Sequence, residues 1–175
     1  MVGIRGSHLG SLDALEGEHM ETQELIRASL LCLHVLAGAA WFGSVFYGVF
    51  VLYPRADTIF ESIAERERFL ISLSHGLRWH MIAAMSLVGL SGVGIALTPR
   101  NDMSVMWLTL VGIKAGLLIL CALLFWRVSW TWWPARTFAL EAELPAIHRE
   151  FRIGAMVMLC LIGLSVVAGA LLRFC

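Results

Sequence analysis

The side chains of this chain best able to do chemistry are six histidines and a single lysine. His34 lies inside an apolar run, 28–53, long enough to cross a bilayer. An imidazole at that depth is costly without a partner, so His34 reads as a functional-site candidate. At helical spacing it shares a stripe with Gly38, Trp41, Val45 and Gly48, which sets a ligating imidazole above small residues and an indole. Such a face takes either a flat group or a neighbouring helix. Lys114 lies in a third apolar run and should point inward, toward a carboxylate, a propionate or water; snorkelling to the interface is the plainer alternative. His75, His80 and His148 belong to the opposite side, with Arg78, Arg149 and Arg152 nearby. They suit either a bis-histidine haem b with arginines on its propionates, Arg78 among them, or polar groups at headgroup level. At ~1.5 Å per residue, His34 and His80 differ in depth by roughly 20 Å, so they cannot share one haem. One or two haems remain open, with axial ligands drawn from His34, His75, His80 and His148.

These residues need a scaffold, and composition names its class. Hydrophobic residues make up 59% of the 175-residue chain. Mean hydropathy is +0.79, too apolar for a soluble globule. Net charge is zero and there is no basic tract, which excludes a nucleic-acid partner. Cys32, Cys121, Cys160 and Cys175 stand far apart with no CxxC pair and read as small packing residues. No acid lies within an apolar run, and no nucleophile triad, P-loop or two-carboxylate pattern occurs, so hydrolase chemistry is not indicated.

Four apolar runs, 28–53, 79–98, 104–126 and 153–172, are each near the ~20 residues that cross ~30 Å of hydrocarbon. The expected fold is all-α, an integral membrane four-helix bundle at 25–175, preceded by a polar, acidic N-terminal tail at 1–24. Pro54, Pro99, Pro134 and Pro145 fall at or beyond the ends of the runs. Helical periodicity from Ile59 to Leu73 starts the second helix well before the bilayer. Trp126, Trp130, Trp132 and Trp133 mark an interface. The connections 54–78 and 127–152 hold eight arginines against four on the other side, which makes them cytoplasmic and puts both termini on the outer, periplasmic side. On this topology His34 and Lys114 come to similar depth from the outer face.

The first run, Leu-His-Val-Leu-Ala-Gly-Ala-Ala-Trp-Phe-Gly, resembles the opening helix of the CopD and HemJ-like group of small bacterial membrane proteins, with His34, Trp41 and Gly43 at the matching points. The segment around Lys114 resembles that group's helix with an embedded lysine, and 148–173 is similar to the last helix of CopD domains. The resemblance spans 25–174. It implies a multi-pass protein of the bacterial inner membrane. HemJ-like proteins oxidise protoporphyrinogen with a bound haem b, whereas CopD-like proteins are associated with copper uptake. Two departures stand out. Tyr53-Pro54-Arg55 replaces the histidine-bearing ending of the HemJ helix, and Met103 and Met106 are the only outer-side pair of soft sulfur donors for copper. The leading expectation is therefore a haem b protein that transfers electrons or oxidises a quinol, porphyrinogen or reactive oxygen species, with Trp41 against the cofactor and Lys114 and Arg78 on anionic groups. Copper handling is the first alternative. The second is a non-catalytic accessory subunit of a larger membrane complex. Beyond the lipid bilayer, expected partners are such a complex or a second copy of the chain.

Overall fold

The computed structural model describes the backbone of residues 5–99, 104–140 and 142–172, and their side chains from residue 20 onward except residue 75. Met103, Cys175 and the side chain of His75 lie outside the described residues. The fold is all-helical among these, with four helices long and apolar enough to cross a membrane. Helix α1 runs Arg5–Tyr47, so the acidic N-terminal stretch and the first span form one continuous helix. After it come α2 at Tyr53–Ile59, α3 at Ile63–Leu97, α4 at Val105–Arg127, α5 at Trp133–Phe138 and α6 at Leu144–Leu171. Helix α3 does begin far ahead of its apolar run. Leu36, Leu90, Ile119, Leu123 and Val166 are exposed on the outward faces, the inverse of a water-soluble bundle.

Pro54 and Pro134 do not end their helices. Each is preceded by a one-turn π-helical segment, Gly48–Leu52 and Val128–Trp132, in which the Tyr53 and Trp133 amides reach back to the Gly48 and Val128 carbonyls. The wider turn makes room for the proline ring, which clashes with the preceding turn of a regular helix. Pro99 does stop α3, with Thr98 extended before it. Ser104 then caps α4, its hydroxyl accepting from the Trp107 amide at 3.1 Å.

The matching π segments belong to a larger repetition. His34 stands as far before Pro54 as Lys114 stands before Pro134, and the same offset carries Trp41 onto Cys121 and Tyr53 onto Trp133. In the returning helices, Leu-Val-Gly-Leu-Ser at 87–91 recurs as Leu-Ile-Gly-Leu-Ser at 161–165. Packing follows the same division. Helix α1 packs along α3 and α4 along α6, while the two pairs meet more sparingly through α1 against α6 and its equivalent, α4 against α3. Two spans per repeat keep both repeats in one orientation, related by an axis along the membrane normal. Near that axis Trp41 and Cys121, 4% and 2% exposed, share a core with Val45, Val49, Met158, Leu159 and Ile162. One large and one small side chain at equivalent positions fill a space that two indoles would overpack.

Candidate functional site

The half of the bundle nearest the start of α4 holds the two polar side chains that the repeat makes equivalent. His34 Nδ1 lies 3.0 Å from the Val88 carbonyl and 3.0 Å from Ser91 Oγ, both on α3. A carbonyl can only accept, so Nδ1 carries the hydrogen. Ser91 in turn donates to the Leu87 carbonyl, which fixes its hydroxyl. Nε2 makes no hydrogen bond to any described residue, and in neutral imidazole it holds the lone pair. Metal-ligating histidines use this arrangement, one ring nitrogen anchored to a carbonyl and the other left for the metal. Lys114 holds the equivalent place on α4.

Two glycines make room for this pair. A Cβ on Gly92 would meet His34 Cε1 at 3.3 Å, and one on Gly169 would meet Lys114 Nζ at 3.0 Å. Gly94 and Gly89 serve close packing instead, against Leu30 and Leu118. Gly112 and Gly116 flank Lys114 but border open space, and a Cβ on either would meet no heavy atom within 4 Å.

At the opposite end of the bundle His80 and His148 do not share a site. His80 is exposed on the bundle surface, and its Nδ1 donates to Gly76 of its own helix at 2.9 Å. His148 Nε2 lies 2.8 Å from Glu67 Oε1, off the axis of a hydrogen bond. That carboxylate is held by Arg136, which donates from Nε at 2.7 Å and from Nη2 at 3.1 Å. Glu67 and Arg136 are both buried, and with His148 they tie the start of α3 to α5 and the start of α6. Among the described residues no group of three or more His, Cys, Asp and Glu side chains is placed to hold a metal ion. Trp41 is in the hydrophobic core, its buried Nε1 without a hydrogen-bond partner.

Arg78 lies between two indoles, its Cζ 5.4 Å from the Trp130 ring centre and 4.8 Å from that of Trp133. It lines an open cavity of about 150 Å³ between the repeats, which Val45, Gly48, Met81, Phe125 and Ser129 also line. Sequence reasoning singled out His34, Lys114 and Arg78 but missed Ser91, Glu67 and Arg136. A serine between Gly89 and Gly92, on a helix that could face a half-buried histidine, was the available signal for Ser91. Glu67 had none, since it stands among the charges of a helix expected to project from the bilayer or lie at its surface. Compared with known family models, with characterised proteins and with solved structures, the chain matches none.

Proposed function

We propose that this is a haem b-binding protein of the bacterial inner membrane that transfers electrons, with both termini on the outer side and His34 Nε2 as an axial ligand to iron. The observation that carries this reading is the anchoring of His34 Nδ1 on the Val88 carbonyl at 3.0 Å, which leaves Nε2 to a metal at membrane depth. The donor set fits: a neutral imidazole for iron, and in Lys114 a cation for a propionate. His148 fits less well, because its Nε2 already faces Glu67 Oε1 at 2.8 Å. Bound haem supplies the one-electron chemistry. The chain's own contribution is the fixed tautomer of His34, a site away from water, and the charge of Lys114. The arginine-rich 54–78 and 127–152 connections support the orientation.

Spectra of detergent-purified wild type, His34→Ala and His148→Ala, each titrated with haem, test the reading. A Soret band and a sharp reduced α-band in the wild type and His148→Ala, lost in His34→Ala, are expected. Identical spectra for the wild type and His34→Ala would overturn it. Copper content without a Soret band would favour copper handling, and neither signal would favour an accessory subunit.

A further inference from the structure

Arg78 carries a charge that the described part of the protein does not balance. Its Nη2 is buried without a hydrogen-bond partner, and among the described residues no carboxylate pairs with it. The three described ion pairs join other residues, Arg66 to Asp57 and Arg136 and His148 to Glu67. The indoles of Trp130 and Trp133 stabilise the guanidinium through their faces but accept no hydrogen bond from its unpaired edge. Arg78 is half-buried, and a guanidinium whose desolvated edge lacks a counter-ion is costly, so an anion should complete this site.

The surroundings specify the rest of the ligand. The cavity lies between the repeats, lined by the equivalent pairs Val45 and Phe125, Gly48 and Val128, and Tyr53 and Trp133. Its walls are mainly apolar, and no Asp or Glu among the described residues lines it. Both π-helical segments border it, and such segments recur at functional sites. The repeat gives Arg78 an equivalent in Arg152, yet Arg152 is exposed, so the pseudo-symmetric cavity receives one cation and not two. At ~30 Å³ per water-sized group, about 150 Å³ takes roughly five such groups. That is a small anionic head with its first methylenes, well short of the ~300 Å³ or more of sites for ring-bearing ligands.

We propose that the cavity under Arg78 binds a single-chain fatty acid, its carboxylate on the unpaired edge of the guanidinium, its first methylenes along the apolar walls and the rest of the chain leaving through the open side. The site lies on the inner half and does not rest on the haem reading, which concerns His34 on the outer half.

The test is native mass spectrometry of the full chain in a neutral detergent, with oleate, oleyl alcohol and oleoyl lysophosphatidate as probes. One oleate adduct per chain is expected, with at least a tenfold weaker affinity in Arg78→Gln. Gly48→Leu should lose the adduct equally, since the added side chain enters open space in the cavity and leaves the guanidinium in place. Arg152→Gln should bind as the wild type does. Equal oleate binding by Gly48→Leu and the wild type would overturn the proposal, because adsorption outside the cavity would then explain the adduct. Oleyl alcohol binding as well as oleate would overturn the role of charge, and preferential binding of lysophosphatidate would overturn the carboxylate.

Discussion

Replacing Glu67 by leucine leaves the guanidinium of Arg136, whose side chain is 1% exposed, without either of its charge-assisted hydrogen bonds. Each such bond contributes about 1.5–3 kcal/mol, and breaking a buried pair from one side costs about 3–5 kcal/mol because the remaining charge is stranded. The expected loss for Glu67→Leu is therefore about 3–5 kcal/mol. The double variant Glu67→Leu/Arg136→Leu strands only His148, which is partly exposed, and should recover most of that loss. Reversible unfolding in SDS–detergent mixtures, followed by circular dichroism, gives the four corners of the cycle. A coupling energy above about 2 kcal/mol is expected, with His148→Ala alone costing under about 1 kcal/mol. A single Glu67→Leu variant within 1 kcal/mol of wild type, or a double variant as unstable as the two singles added together, would refute the assignment of this pair as the inner clamp.

Further tests use the glycines and the outer site. Gly154→Ala places a Cβ 2.8 Å from Trp132 Cζ3, a rigid ring, and should cost about 1–3 kcal/mol, whereas Gly112→Ala enters open space and should be neutral or stabilising by about 0.5–1 kcal/mol; thermal unfolding in detergent compares them. Gly169→Ala should be tolerated because its Cβ meets only the mobile tip of Lys114, but Gly169→Leu should lower the melting temperature more than Gly163→Leu, which meets nothing within 4 Å. Ser91→Ala keeps the Val88 anchor of His34 and should retain haem binding, whereas His34→Gln should abolish it; haem titration followed at the Soret band separates the two.

The spans were legible because crossing hydrocarbon demands long apolar runs, and Lys114 and His34 could be matched by counting depth from the outer ends. The hydrogen bonds of His34 could not be read, because one partner is a backbone carbonyl, which every residue has, and the other a serine on a separate helix. His148 shows the limit of residue type as a guide. His148 has the chemistry of an iron ligand, but a glutamate far away in sequence reaches it first. Glu67 and Arg136 resembled solvated surface charges because nothing local marks a carboxylate that will be buried by a distant helix. The repeat was hidden for a related reason. Apolar positions exchange freely, so equivalent residues as different as Trp41 and Cys121 carry no obvious likeness until both are found in one core. The π segments before Pro54 and Pro134 depend on how the chain accommodates each ring, and helix-ending rules for proline do not distinguish a stop from a wider turn.

The most direct measurement is a pyridine haemochrome count on the protein purified from membranes without added haem, with oxidised and dithionite-reduced spectra of the same sample. One haem b per chain with a reduced α-band is expected from a single ligating level at His34. No haem, in a preparation that remains folded and monodisperse, would contradict it.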